Sequence, residues 1–168
     1  MQLLRRYASG MAPTPPIARE LSALELGAWT GFLRAHVALV RALDAELQAA
    51  HGLPLTSYEV LIALQAAPGR RLRMAELADR ALLSRSGMTR LVDRLARARL
   101  LERDPCDSDA RGCFAVLTGA GEALLARARP THLDGVRERF LRHFSADELE
   151  LLTERWERIG NRDLSRSD

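Results

Sequence analysis

Lysine is missing from this chain of 168 residues, and arginine supplies all 25 of its basic side chains. Arginine-only usage is what a GC-rich genome produces, although the guanidinium group also suits bidentate contacts to phosphates and to guanine. The absence of lysine therefore does not by itself indicate a nucleic-acid partner. Whether the arginines indicate such a partner depends on where they lie along the chain.

Long apolar runs are also missing. No stretch reaches the roughly 18 consecutive apolar residues that a membrane-spanning helix needs. Residues 1–16 contain three prolines and lack the apolar stretch of a secretory signal peptide. We expect these residues to form a flexible arm, and we expect a cytoplasmic protein without a membrane partner.

Cysteine is scarce. The chain contains only Cys106 and Cys113, which are too few for a disulfide scaffold and lack the spacing and partners of a zinc site. Both lie in one predicted loop region. They are either incidental small thiols or a redox switch that acts on that loop.

Signatures of catalysis are absent as well. No glycine-rich phosphate loop and no nucleophile motif occurs in the sequence. The four histidines do not cluster with acidic residues at metal-ligand spacing; they are His36, His51, His132 and His143. We therefore predict that the protein is not an enzyme and holds no metal and no cofactor.

Basic charge is concentrated between Arg70 and Arg103. This segment holds ten arginines against four acidic residues, a net charge of +6, whereas the whole chain carries only +3. The rest of the chain is therefore slightly acidic. A focused basic patch supplies the sequence-independent part of nucleic-acid binding.

The first helical segment carries more apolar surface than a small domain covers. Helical spacing predicts a helix from about Ile17 to His51, which Gly52 and Pro54 end. Its apolar residues form two stripes, whereas a surface helix needs only one. The second stripe predicts a partner subunit that covers it. The stripes are Leu21, Leu24, Ala28, Phe32, Ala35, Leu39 and Ala42, and Leu26, Trp29, Leu33, Val37, Val40 and Leu47.

Short helices with a tight turn follow. We expect a helix over Thr56–Ala67 with Thr56 or Ser57 as its N-cap, and another helix over Met74–Ala81. A tight turn leads from Ala81 to a further helix that Ser84 caps. Two short helices joined by a tight turn are typical of a helix-turn-helix.

The helix predicted over residues 84–97 has one apolar and one polar face. Apolar residues recur at helical spacing and are predicted to be buried. The polar face fits either a solvated amphipathic helix or a recognition helix, whose first turn meets base edges of DNA. The apolar positions are Met88, Leu91, Val92 and Leu95, and the outward positions are Ser86, Thr89, Arg90, Asp93, Arg94 and Arg97.

A short hairpin comes directly after this helix. We predict strands over Leu100–Arg103 and Cys113–Leu117, joined by a polar turn over Asp104–Gly112. A hairpin in this place is a wing. At its tip, Arg111 can enter a narrow minor groove, whose negative potential attracts guanidinium, while Asp109 holds the rotamer; the alternative is a solvated turn.

Two helices close the chain. Thr118 is predicted to cap a helix that reaches about Phe144 and is interrupted or bent at Pro130. Ser145 followed three residues later by Glu148 is a capping box, which starts the last helix. The apolar positions of that helix are Leu149, Leu152, Trp156 and Ile159.

These segments together resemble the MarR-type winged-helix transcription regulators. The resemblance implies a mainly α fold with a small β-hairpin wing, in which a winged helix-turn-helix core of about 55–118 joins dimerisation helices of about 17–51 and 118–163. Residues 17–168 would then form one domain. The matching pieces are Leu77-Ala78, Leu83-Ser84-Arg85-Ser86, Thr89-Arg90-Leu91-Val92-Asp93-Arg94-Leu95, Leu100-Leu101-Glu102-Arg103, Asp109, Arg111, Leu117-Thr118 and Gly121.

The resemblance also implies partners and residue roles. A homodimer with interlocking N- and C-terminal helices would bind double-stranded DNA at a palindromic operator, as a repressor that a small lipophilic or phenolic ligand releases. Arg94 would contact a phosphate, and Arg111 would enter the minor groove, braced by Asp109. The residues that would face the major groove are Ser84, Arg85, Ser86, Thr89 and Arg90.

The sequence departs from the family at Arg99, which stands where a glycine commonly follows the recognition helix. If Arg99 keeps a left-handed backbone, it costs on the order of 1 kcal/mol relative to glycine. This departure does not change the predicted fold.

An effector pocket is the remaining expectation. A pocket between the first helix and the winged unit could be lined by aromatic residues, although aromatics at helical spacing also occur as plain core. The candidate residues are Trp29, Phe32, His36 and Tyr58. A winged-helix module that binds proteins and not DNA is the alternative to the whole interpretation.

Overall fold

The computed structural model describes residues 20–80, 85–105 and 113–164. Short 3₁₀ turns at Pro68–Arg70 and Leu141–His143 connect some of the elements. Within the described ranges the helices and strands are, in chain order, α1 (Ala23–His51), α2 (Leu55–Ala66), β1 (Arg71–Arg73), α3 (Met74–Arg80), α4 (Arg85–Arg97), β2 (Leu101–Pro105), β3 (Cys113–Leu117), α5 (Gly119–Arg139) and α6 (Ala146–Leu164).

Helix α1 begins at Ala23, so the predicted start at Ile17 is wrong. The reason is a capping box: the Glu25 carboxylate accepts the Ser22 backbone N–H at 2.8 Å, and the Ser22 hydroxyl accepts the Glu25 N–H at 3.2 Å. The Ser22 N–H, together with the Ser22 hydroxyl that also donates to this carboxylate at 2.8 Å, lowers the pKa of Glu25. The chain divides into two compact units after His36, within α1.

Helix α2 begins at Leu55, one residue after Pro54, and it has no side-chain cap of its own. The predicted N-caps Thr56 and Ser57 are therefore wrong. The Leu55 N–H donates to the Asp44 carboxylate of α1 at 2.8 Å. A distant carboxylate thus satisfies the helix terminus that a local hydroxyl was expected to cap.

The sheet has three strands, in the order β1-β3-β2, and all its pairs are antiparallel. A two-stranded wing was expected, so β1 corrects that expectation. Leu72 pairs with Ala115, and both are buried. The single apolar residue of β1 therefore joins the inner face of the sheet.

The core lies between the inner face of the sheet and the helices around it. The predicted apolar face of α4 is confirmed, since Met88, Leu91, Val92 and Leu95 are all buried. Burying a side chain of this size stabilises the fold by roughly 1.5–3 kcal/mol. The other core residues include Leu61 and Leu64 of α2, Leu77 of α3, Leu101 of β2, Leu117 of β3 and Leu125 of α5.

The turn after α4 is left-handed, as the family pattern implied. Arg99 has φ 58°, and its carbonyl accepts the Thr118 hydroxyl at 2.7 Å. The same hydroxyl accepts the Gly121 N–H at 3.1 Å, which confirms Thr118 as the N-cap of α5. Thr118 therefore ties the end of α4 to the start of α5.

The last two helices differ from the prediction in one boundary. Helix α5 runs through Pro130 and ends at Arg139, before Phe144. The capping box of α6 is confirmed: the Glu148 carboxylate accepts the Ser145 N–H at 2.8 Å, and this hydrogen bond lowers the pKa of Glu148. None of the helices in the described ranges is long and apolar enough to cross a membrane.

Candidate nucleic-acid interface

Helix α4 presents a polar face to solvent. Thr89, Arg90 and Arg94 are exposed, whereas the residues on the opposite side of the helix are buried. Ser86 in the first turn is exposed as well. The structure therefore brings these four candidate residues together on one surface, as the sequence predicted.

Two arginines of this face keep their charge uncompensated in the described part of the chain. No carboxylate among the described residues forms an ion pair with Arg90 or Arg94. Exposed guanidinium groups of this kind present fork-shaped donors that match phosphate and guanine. Ser84 lies outside the described residues, and only the backbone of Arg85 is described.

Arg103 of β2 contacts helix α4 and holds it against the sheet. Its guanidinium forms an ion pair with the Asp93 carboxylate of α4 at 2.8 Å and donates to the Thr89 carbonyl at 3.5 Å. Sequence reasoning missed this role. The signal was present in the alternation of β2, because Arg103 lies on the same inward face as the buried Leu101.

Both strands of the wing are present, but β2 runs over Leu101–Pro105, so Asp104 and Pro105 belong to the strand and not to the predicted turn. Both paired strands are described, but the tip over residues 106–112 is not. The predicted tip residues Asp109 and Arg111 therefore lie outside the described residues, as does Cys106. Cys113 is described only as the first backbone position of β3.

The candidate effector residues fall into two groups. In the first half of α1, the rings of Trp29 and Phe32 stack with centroids 6.0 Å apart, and the Phe32 and His36 rings are 6.2 Å apart. Tyr58 belongs to α2, where it is only 2% exposed and lies 4.6 Å from the His132 ring.

Three buried polar atoms at Tyr58, its sequence neighbour Ser57 and its ring neighbour His132 have no hydrogen-bond partner among the described residues. These atoms are the Tyr58 hydroxyl, the Ser57 hydroxyl and His132 Nδ1. Burial raises the pKa of the Tyr58 phenol, against the opposing charge of Arg129, and lowers the pKa of His132. Burial therefore favours the neutral form of both groups.

Comparison with known proteins agrees with this geometry. Residues 51–112 match the profile of the MarR family. The HTH-type transcriptional regulator MhqR of Bacillus subtilis is 33% identical over 110 residues, which are 66% of this chain and 74% of the relative. The chain belongs to the MarR family. Members of this family are transcription regulators and not enzymes, as the sequence analysis expected.

Solved MarR-family structures share the fold over most of the chain. Sco3205 of Streptomyces coelicolor, a MarR family transcriptional regulator solved in complex with DNA, is 37% identical, with a TM-score of 0.82 over 89% of this chain and 94% of its own. AbsC of the same organism is 32% identical, with a TM-score of 0.81 over 88% of this chain and 99% of its own. The MarR fold predicted from the sequence is thus confirmed.

Proposed function

We propose that this MarR-family regulator binds double-stranded DNA as a homodimer and represses transcription from a palindromic operator. The observation that carries the proposal is the polar face of α4, on which Arg90 and Arg94 stand exposed without carboxylate partners among the described residues. In this proposal α4 lies in the major groove and the wing points toward the adjacent minor groove.

Residue roles in this proposal follow the family resemblance, and Ser86, Thr89, Arg90 and Arg94 also lie on the exposed face of α4. Arg94, at the far end of the exposed face, contacts a phosphate, and Arg111 of the wing enters the minor groove beside Asp109. The MarR-family relative Sco3205 supports DNA as the partner, because it was solved in complex with DNA. The residues that face the major groove are Ser84, Arg85, Ser86, Thr89 and Arg90.

Exposed apolar side chains support the homodimer. Leu24, Trp29 and Leu33 on the first half of α1 are exposed, and so are Trp156 and Ile159 on α6. Large apolar side chains that stay exposed on the surface of one subunit mark surfaces that a partner covers. A second copy of the chain is the partner that a palindromic site requires.

Selection of bound duplexes from a random pool tests the proposal. We expect a palindrome whose half-sites lie about one helical turn apart, roughly 34–36 Å between recognition helices. Affinity for the selected duplex should fall steeply with salt, since several arginines displace counterions. If no duplex is retained even at low salt, the winged-helix protein-interaction module becomes the better interpretation.

Arg90→Ala should weaken binding to the selected duplex by about 1–3 kcal/mol if the side chain is bidentate to guanine. The loss should be smaller on a scrambled duplex of the same length, because that duplex offers no matched base. Fluorescence anisotropy on both duplexes measures the difference. An equal loss on both would reassign Arg90 to a phosphate contact.

Arg103→Gln should weaken DNA binding although the side chain makes no DNA contact in the proposal. The Arg103–Asp93 pair is partly exposed, so we expect an effect of up to about 1 kcal/mol, or roughly fivefold in affinity. Asp93→Asn should have a similar effect, and the double variant little more than either single variant. Additive losses in this double-mutant cycle would show that the pair does not position α4.

An effector is proposed to act at Tyr58. The Tyr58 and Ser57 hydroxyls and His132 Nδ1 have no hydrogen-bond partners among the described residues, and this supports a small phenolic ligand whose hydroxyl satisfies one of these atoms. A thermal-shift screen of phenols should then find compounds that stabilise the wild-type chain and not Tyr58→Phe. Equal stabilisation of both proteins would place the ligand elsewhere.

A further inference from the structure

The outer face of the sheet carries two arginines that the sequence analysis did not assign. Arg71 pairs with Val116 and Arg73 pairs with Phe114. Directly paired residues of antiparallel strands project to the same face, and neighbours along a strand project to opposite faces. Arg71, Arg73 and Phe114 therefore share the outer face, whereas Leu72 and its partner Ala115 face the core.

Phe114 is a platform for both guanidinium groups. The Arg71 guanidinium carbon lies 4.0 Å from the ring centroid and that of Arg73 lies 5.1 Å from it. A guanidinium over an aromatic face is attracted by the ring quadrupole and loses part of its rotamer freedom. The two cations are thus oriented before any partner arrives.

Among the described residues, only Arg71 of the two has a carboxylate partner. Arg71 forms an ion pair with the Asp104 carboxylate at 3.2 Å, and Glu102 lies on the same face at the level of Arg71. No carboxylate among the described residues forms an ion pair with Arg73. Among the described residues of this face, Arg73 is therefore the charge that remains available to an anion.

Arg73 stands at the wing-tip end of the sheet. Its partner Phe114 is one residue from Cys113, where β3 leaves the tip, and α3 starts directly after Arg73. Helix α4 lies on the other face, because Arg103, whose partner is Ala115, reaches Asp93. Arg73 and the recognition helix thus lie on opposite sides of the wing.

We propose that Arg73, held over Phe114, binds a DNA phosphate on the strand that borders the minor groove on the side away from the recognition helix. This inference rests on the proposed function. Two phosphate strands flank a minor groove about 6 Å wide. With α4 in the major groove on one side of the wing, the outer face of the sheet is turned toward the strand on the other side. The contact widens the footprint of each subunit beyond the half-site that α4 reads.

The test uses the full-length protein and its selected duplex. Each phosphate contact contributes about 0.9 to the slope of log affinity against log salt, so Arg73→Gln in both subunits should reduce that slope by about 1.8. At low salt its affinity should be about tenfold lower, on selected and scrambled duplexes alike. Arg73→Lys should keep most of the slope, because it keeps the charge.

Two controls locate the contact. Arg137→Gln removes the same charge from α5, 18 residues beyond the helix start, and should leave the slope unchanged. Shortening the duplex by one base pair at a time from both ends should remove the advantage of wild type over Arg73→Gln once the outer phosphates are lost. Circular dichroism should show that the exposed Arg73 can be replaced without unfolding.

The outcomes separate the two proposals. If wild type binds the selected duplex and Arg73→Gln binds it with the same slope, Arg73 contacts no phosphate and this inference is overturned, while the proposed function stands. If the advantage of wild type persists on the shortest bound duplex, the contact is not on the outer strand. If wild type binds no duplex at all, the proposed function fails first.

Discussion

Gly121→Ala should destabilise the protein by about 3 kcal/mol or more, the upper range for overpacking a rigid site. A Cβ at this position would lie 2.7 Å from Leu117 Cδ1 and closer still to the Leu100 carbonyl oxygen. The Leu100 carbonyl is a backbone group directly before β2, so it cannot rotate away as a side chain could. Helix α5 would have to move off the sheet, which would also break the cap that Thr118 gives to the Gly121 N–H.

Gly119 is the matched control, in the same first turn of α5. A Cβ there would meet nothing within 4 Å, so Gly119→Ala should change stability by less than about 1 kcal/mol, in the stabilising direction. Urea denaturation followed by circular dichroism measures both variants. Two variants of equal stability would show that α5 does not pack as closely on Leu100 as the structure indicates.

Local patterns were sufficient for the elements whose signals lie within a few residues of one another. The apolar face of α4 follows helical spacing, and the Ser145 and Glu148 pair starts α6 as predicted. Ser22 and Glu25 carry the same capping signature. Apolar residues before Ser22, such as Ile17 and Leu21, extend the helical spacing past this signature, so the spacing alone places the helix start too early.

Elements that depend on distant partners were not predictable in this way. Strand β1 has one apolar residue among three, and it is a strand only because it pairs with β3, more than forty residues later. The Asp44 carboxylate that accepts the Leu55 N–H lies 11 residues before it, beyond the reach of a local capping motif. Pairing of this kind is decided by tertiary structure.

Residues of the candidate interface likewise divide into those with local signals and those that depend on distant partners. Thr89, Arg90 and Arg94 were found because helical spacing alone separates exposed from buried positions. Arg103 and Arg73 were not, since the first acts through Asp93 on another element and the second depends on Phe114 of a strand that was not its expected neighbour. Sequence patterns thus identified the exposed face of α4, but not Arg103, which pairs with Asp93 of that helix, or Arg73 on the outer face of the sheet.

The double variant Trp156→Glu with Ile159→Glu should convert the proposed dimer into monomers. Trp156 is 45% exposed and Ile159 is 60% exposed on α6, and spacing of three residues places them on the same side of the helix. Burying two carboxylates in an apolar interface is costly, because they would have no partners there. Neither residue belongs to the buried core, so each subunit should remain folded.

Loss of the dimer should lower DNA affinity far more than loss of any one contact. Two linked recognition helices gain about 10²–10⁴-fold over a single one by effective concentration. Arg158→Glu changes the net charge by the same two units, but it lies about 200° around the helix from Trp156. This control should stay dimeric and bind DNA with little change. Light scattering coupled to size exclusion and anisotropy on the selected duplex measure both variants, and a double variant that remains dimeric would show that α6 is not part of the interface.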